Sequence, residues 1–305
     1  MQQVYDAVIV GGGPAGASCA IWLARLGLAP VLVEASDRLG GLGNGNPFRD
    51  DWIAVLPGQT GQQGAANVAR SVQEAGVPVH LRAPALRVRP VKGGVEVALG
   101  GQAQGQLLRG RTLVIASGVR ARGLPGHPST ASWPGVLVGP GSPIVAQDYS
   151  GLKVAVLGGG DNAYENFVYV RNRGAGDVHL YARTVRAQQQ WVVRAGRENV
   201  HVGAYEVDPA ARTVDGRQYD LILVFYGWEP QAAFADGLRL ARSERGYIQT
   251  DFATAQTSLP DIYAIGEVAN RMHPCVVTAM ADGVVAAKDI QRRWERVPQR
   301  RESVT

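Results

Sequence analysis

The sequence predicts an α/β fold with two Rossmann-like dinucleotide-binding domains, and two stretches of chain carry that prediction. Residues 4–37, "VYDAVIVGGGPAGASCAIWLARLGLAPVLVEASD", and residues 152–183, "LKVAVLGGGDNAYENFVYVRNRGAGDVHLYAR", share one pattern. Each runs from a β-branched strand through a glycine-rich turn into a helix, then to a second strand. The distribution of glycine agrees. The 39 glycines cluster at 11–13, 40–45 and 158–160 instead of following a repeat, which suits ligand sites lined by backbone.

In the first stretch "AVIV" reads as a buried strand. Gly11, Gly13 and Gly16 then form G-x-G-x-x-G at the opening of a helix that reaches Leu26 and stops at Gly27. The first glycine permits the tight turn, the second lets a pyrophosphate approach the backbone, and the third lets helix and strand pack closely. The helix N-terminus attracts the phosphates. Glu34 closes the second strand at the distance expected of a carboxylate that accepts the adenosine ribose hydroxyls and repels a 2′-phosphate. Cys19 falls on the buried side of this helix and reads as core.

The second stretch repeats the design. "KVAVL" is a strand; Gly158, Gly160 and Ala163 form G-x-G-x-x-A; a helix follows to about Asn172; "DVHLYAR" is the next strand. No acid ends it. Arg183 and Arg186 stand there instead, the arrangement that tolerates a ribose 2′-phosphate, so NADPH is expected ahead of NADH. A degenerate domain that binds no nucleotide is the alternative. Two cradles on one chain suggest hydride transfer from a nicotinamide to a flavin.

Composition narrows the class. An apolar fraction of 46% and a charged fraction of 19% are ordinary for a soluble protein with a sizeable core. The N-terminus "MQQVYDAVIVGGG" has no basic start and no long apolar run, so neither a signal peptide nor a membrane span is expected. Two cysteines at opposite ends of the chain make no disulfide framework and fit a reducing cytoplasm. The net charge of +5 comes mostly from scattered arginine, which reads as an ordinary solvated surface ahead of a phosphate-rich ligand or an acidic protein partner, and forms no nucleic-acid stripe. The five histidines show no metal-ligand spacing, and no metal is expected.

Over nearly its whole length the sequence resembles the low-molecular-weight thioredoxin reductase-like flavoproteins. The matching pieces are "VIVGGGPAGASCAIWLAR", "GG" at 40–41, "LPG" at 56–58, "LVIASG" at 113–118, "VAVLGGGDNAYEN" at 154–166, "GYIQTD" at 246–251 and "TAQTSLPDIYAIGEV" at 254–268. The resemblance implies an FAD domain from residues 1–118 and 247–305, with an NAD(P)H domain, 119–246, inserted into it. It also implies a homodimer. By the same resemblance Gly11, Gly13, Pro14, Ala15, Gly16, Glu34, Gly41, Asn46, Ser117, Gly118, Gly266, Glu267, Pro274, Cys275 and Val276 would line FAD. Glu267 would face the ribityl chain, where the family more often has Asp. Gly158, Gly160, Asn162, Ala163, Arg183 and Arg186 would hold NAD(P)H.

One family feature is missing. Thioredoxin reductases carry a C-x-x-C pair ahead of the second nucleotide strand, and here the matching region near Gly139 to Ser142 reads "GPGS". Three readings follow. Electrons could pass from FAD directly to an acceptor, as in ferredoxin–NADP reductases of this fold, with ferredoxin or flavodoxin as partner. A single cysteine could serve a small disulfide. Or the protein could be a flavin-binding relative that uses no pyridine nucleotide. The bacillithiol disulfide reductase group places a cysteine in the first glycine loop, where this chain has Ala15.

Cys275 and His273 are the candidate catalytic residues. Pro274 reads as the first residue of a helix, which puts Cys275 in its first turn, where the dipole favours thiolate. In the family this helix end faces the flavin, so His273 could cover the ring or move a proton. The alternative for Cys275 is packing, and for His273 a solvent-facing helix start. The loop 43–58 is longer than its family counterpart, and Asn44, Asn46 or Phe48 could touch the flavin or gate the acceptor. Trp228 in "FYGWEP" reads as a cap on the inserted domain. Trp294, the one aromatic of the tail "QRRWERVPQRRESVT", reads as packing.

Overall fold

A computed structural model of the chain describes residues 3–128 and 130–296. The chain divides into two compact units. Of the described residues, unit 1 holds 3–44, 48–119 and 230–296, and unit 2 holds Gly45–Pro47 and the stretch from Arg120 to Glu229.

Unit 1 starts with β1 (Val4–Val10), α1 (Pro14–Arg25) and β2 (Pro30–Val33). All four residues of β2 and the last four of β1 are buried, as befits strands of a parallel sheet covered on both faces. Next comes α2 (Gly61–Glu74), whose start is a capping box. Thr60 Oγ1 accepts from the Gln63 amide at 3.2 Å, and Gln63 Oε1 accepts from the Thr60 amide at 2.8 Å. Two otherwise orphan helix donors are thereby satisfied. After β3 (Val79–His80) the chain forms an antiparallel ribbon, β4 (Ala85–Val91) and β5 (Gly94–Leu99), and then β6 (Leu107–Ile115).

The chain leaves through β7 (Val119–Ala121) and builds unit 2. Its elements are β8 (Val136–Val138), α3 (Ser142–Ala146), β9 (Lys153–Leu157), α4 (Asp161–Asn172), β10 (Asp177–Ala182), α5 (Gln189–Ala195) and β11 (Val200–Val202). Three short strands follow, β12 (Val207–Asp208), β13 (Thr213–Val214) and β14 (Arg217–Gln218), then β15 (Leu221–Val224). The five-stranded sheet is ordered β11-β10-β9-β15-β8 and is parallel throughout. Phe167, Tyr164 and Ile144 fill one face, and Leu124, Tyr181 and Tyr219 fill the other.

The chain returns through β16 (Trp228–Pro230), which pairs with β7. Unit 1 is completed by β17 (Ile262–Ala264), parallel to β6, and α6 (Val276–Arg296). Its sheet is ordered β3-β2-β1-β6-β5-β4. Cys19, Leu23, Ala286 and Ile290 cover one face, so the reading of Cys19 as core holds.

The compact units divide at 229/230, whereas the resemblance sets the FAD and NAD(P)H domains apart at 246/247. The reason is burial: Ala232, Ala235, Leu238, Leu240 and Ile248 pack with Val88, Val95 and Val97 in the core of unit 1. Trp294 packs against the α1–α6 core beneath the Arg111 guanidinium, 4.9 Å from the ring centre. The rest of the tail, 297–305, lies outside the described residues. Among the described residues no helix is long and apolar enough to cross a membrane.

Candidate functional site

The first cradle is built where β1 turns into α1. A Cβ on Gly11 would stand 2.2 Å from the Ala116 carbonyl oxygen, and one on Gly16 would stand 2.0 Å from the Gly11 oxygen, so both positions exclude a side chain. Gly13 differs: its Cβ would meet nothing nearer than Gly41 Cα at 3.7 Å. Gly13 is the N-cap of α1, and no side chain caps the helix, so its first amides remain available to an anion. Gly41, at φ +60°, completes the wall beside Gly13. Glu34 accepts the Gly12 amide on Oε2 at 2.7 Å, and Ser36 donates twice to Oε1, from N–H and Oγ–H. The carboxylate is thus oriented, and Oε2 keeps capacity for another donor such as a ribose hydroxyl. An open glycine, uncapped amides and an oriented carboxylate fit the pyrophosphate and ribose of FAD.

Gly266, Glu267 and Ala15 come together at the same end of the sheet. Gly266 has φ +70°, and a Cβ there would lie 2.9 Å from Ala15 Cβ. Burial raises the Glu267 carboxyl above its ordinary range. Ser117 and Gly118 follow β6, and the Gln231 amide donates to the Gly118 carbonyl at 3.0 Å. Asn44 remains in this unit, its amide donating to Leu39 O at 2.9 Å, whereas Asn46 falls in Gly45–Pro47 of unit 2.

The helix expected to begin at Pro274 begins at Val276. Cys275 occupies the N-cap position, because its side chain and Thr278 form the reciprocal cap. The Thr278 amide donates to Sγ at 3.5 Å, and the Cys275 amide donates to Thr278 Oγ1 at 3.2 Å. Thr278 Oγ1 in turn donates to the His273 carbonyl at 2.7 Å. His273, Pro274 and Cys275 are exposed, and Val276 is half-buried. Burial works against ionisation of the Cys275 thiol, but the bonds from the Thr278 hydroxyl and from the Thr278 and Val277 amides outweigh it. The thiol is held below its ordinary value, with nearby Asp50 pulling the other way. Packing in the protein core is thus ruled out for Cys275. Cys19, wholly buried, is pushed up to about 12 by desolvation. The C-x-x-T spacing that builds this cap was legible in the sequence and was missed there.

The second cradle has the same build. A Cβ on Gly158 would stand 2.4 Å from the Phe225 oxygen, whereas one on Gly160 would meet nothing within 4 Å. Gly160 is the N-cap of α4 without a side-chain cap. Ala163 is fully buried, and the Asn162 carbonyl accepts from Asn166. Asp161, in the first turn, is occupied by the Gln188 amide at 2.7 Å and its side chain at 2.8 Å. Arg183 and Arg186 are exposed, and the Arg186 amide donates to the Gly159 carbonyl at 2.6 Å. Arg183 lines a cavity of about 190 Å³ with Leu124, Pro125, His127, Tyr205 and Tyr226. These residues fit a dinucleotide with a basic group near its ribose.

The histidines are not all incidental. His179 and His201 meet through Nδ1 and Nε2 at 2.7 Å, and His179 Nε2 reaches the Asp177 carboxylate at 3.0 Å. Parallel pairing of β10 with β11 makes the contact, which sequence spacing does not show. No group of three or more metal-ligating side chains occurs among the described residues.

The sequence profile of the pyridine nucleotide-disulphide oxidoreductases matches residues 5–283. The chain belongs to that family. Within it this oxidoreductase is a thioredoxin reductase-like flavoprotein. It is 26% identical to a thioredoxin reductase of Mycolicibacterium smegmatis over 310 residues, covering 95% of this chain and 97% of that one. It is 27% identical to a thioredoxin reductase of Chlamydia trachomatis over 318 residues, covering 94% and 98%. Among solved structures, the T. acidophilum thioredoxin reductase has a TM-score of 0.79 at 20% identity, covering 96% of this chain and all of that one (100%). A bacillithiol disulfide reductase of Bacillus cereus has a TM-score of 0.78 at 19% identity, covering 95% and 100%. The expected two-domain FAD/NAD(P)-binding fold is borne out. Membership of the oxidoreductase family implies use of FAD and NAD(P)H.

Proposed function

We propose that the protein passes electrons from NAD(P)H through FAD to an acceptor without a redox-active dithiol. The carrying observation is the pairing of two open cradles with a cysteine inventory that rules out the usual relay. Gly13 and Gly160 leave room for two pyrophosphates, while Cys19 is buried and Cys275 sits alone on another helix. Hydride transfer is chemistry that the nicotinamide and flavin supply when bound. The chain's part is to hold them. Gly11–Gly16 and the α1 amides would hold one pyrophosphate, Glu34 its ribose and Glu267 the ribityl side. Gly158–Ala163 would hold the other, with Arg183 and Arg186 favouring NADPH. The exposed N-terminus of α6 would offer partial positive charge to a flavin ring bound beside it. A reducing compartment and a homodimer belong to the same proposal.

The test is anaerobic stopped-flow with NADPH and with NADH, followed by ferredoxin, flavodoxin, quinone and disulfide acceptors. Flavin bleaching faster with NADPH is expected. A yellow protein bleached by neither nucleotide overturns the proposal in favour of a flavin-binding relative. A second reading, a single-cysteine disulfide reductase, draws support from the exposed, hydrogen-bonded Cys275 thiol. Cys275→Ser separates the two. Under the first, nucleotide-driven flavin reduction and acceptor turnover persist; under the second, turnover of a small disulfide is lost.

A further inference from the structure

We infer that the buried Arg271–Asp282 ion pair is a positioning pair for the flavin site, holding the Gly266–Glu267 turn against the first turn of α1. The inference rests on the first cradle being the FAD site. Arg271 Nη1 lies 2.8 Å from Asp282 Oδ1, with the two side chains 4% and 3% exposed. The other carboxylate oxygen, Oδ2, accepts the Gly266 amide at 3.0 Å. Arg271 is itself anchored, donating through Nη2 to the Phe252 carbonyl. Asp282 therefore clamps one backbone amide, and Arg271 fixes the plane in which it does so.

The clamped amide belongs to a residue with little freedom. Gly266 is at φ +70° and abuts Ala15. On the other side Gly283, next to Asp282, packs so tightly on α1 that a Cβ there would lie 2.5 Å from the Ala15 oxygen. One two-residue step of α6 thus ties the Glu267 turn and the N-terminus of α1 together. A buried ion pair is weak evidence for stability, since an apolar replacement is commonly as stable. What it supplies here is direction. Glu267 follows the clamped amide immediately, so the aim of its carboxylate is set by Asp282 through Gly266. Burial pushes the Asp282 carboxyl up, while the Gly266 amide and the Arg271 guanidinium pull it down.

The experiment compares wild type with Asp282→Asn, Arg271→Lys and the charge-balanced double variant Asp282→Asn/Arg271→Gln. Each is stripped of flavin; thermal unfolding of the stripped chain and FAD affinity of the refilled chain are then measured separately. The double variant leaves no unpaired buried charge, so its stripped chain unfolds close to wild type, yet it binds FAD roughly tenfold more weakly, as exchange of a charge-assisted hydrogen bond to the Gly266 amide for a neutral one would give. Arg271→Lys, which keeps the charge on Asp282, restores most of the affinity. A folded double variant that binds FAD as tightly as wild type overturns the inference. A wild-type chain that takes up no FAD overturns the cofactor reading instead.

Discussion

Gly283→Ala is the perturbation whose sign depends most on the structure. Gly283 lies inside α6, and helix propensity alone says that alanine there adds up to about 1 kcal/mol. The tertiary contacts say the opposite. The new Cβ would sit 2.5 Å from Ala15 O, 2.7 Å from Cys19 N and 2.8 Å from Ser18 Cβ, two of them backbone atoms that no rotamer can move away. Reaching ordinary carbon contact distance of about 3.5–4 Å requires α6 to back away from α1 by roughly 1 Å. That retreat stretches the bond from Ser18 Oγ to the Met280 carbonyl, now 2.8 Å. Overpacking of this kind costs about 1–3 kcal/mol, and the lost hydrogen bond about 1 kcal/mol. Against the propensity gain, the net expected loss is roughly 1–3 kcal/mol, read as a fall of about 2–4 °C in thermal midpoint per kcal/mol. Gly64→Ala is the control: it sits within α2, and its Cβ would meet only Leu56 Cδ1 at 3.8 Å. It should raise stability by about 0.5–1 kcal/mol. If Gly283→Ala is as stable as wild type or more so, the close α1–α6 crossing is wrong.

Three further outcomes are expected. Gly160→Ala, at φ −98° with nothing within 4 Å, should leave the thermal midpoint alone. It should weaken nicotinamide nucleotide binding by about tenfold or more by blocking the approach to the α4 amides, and unchanged affinity by titration calorimetry would place the nucleotide elsewhere. Iodoacetamide at pH 7 should label Cys275 alone in the flavin-free native chain, since its thiol is lowered and exposed while Cys19 is raised and buried; peptide mass spectrometry showing Cys19 labelled first would contradict this. Burial, then the Arg217 and His201 charges, holds His179 below its ordinary 6.5 against the pull of Asp177. Tyr181 and Tyr219 are the other titratable rings against it. The unfolded chain then binds the extra proton first, so stability from neutral His179 is full above about pH 6.5 and is lost as pH falls below it. Hydrogen-exchange protection of β10 and β11 should fall from pH 7 to 5.5, and His179→Asn should flatten that slope.

Sequence alone determined the two strand–turn–helix units, because local rules suffice: β-branched runs, glycines at fixed offsets, and Glu34 or its absence at the end of the following strand. It also determined that no C-x-x-C dithiol exists, since that is a matter of counting. It missed the position of the Cys275 cap by two residues because Pro274 is an equally good helix-start signal, and the Thr278 hydroxyl decided between them. The division into compact units has a different physical basis. The resemblance set the junction at 246/247, and it is the packing of Leu238, Leu240 and Ile248 on the β4–β5 ribbon that places residues 232–248 in unit 1. The His179–His201 contact, the Arg183 cavity and the Arg271–Asp282 clamp lay beyond any sequence argument. Each joins residues from separate elements: strand register brings His179 to His201 and the packing of α6 brings Asp282 to Gly266, and both are properties of the folded chain.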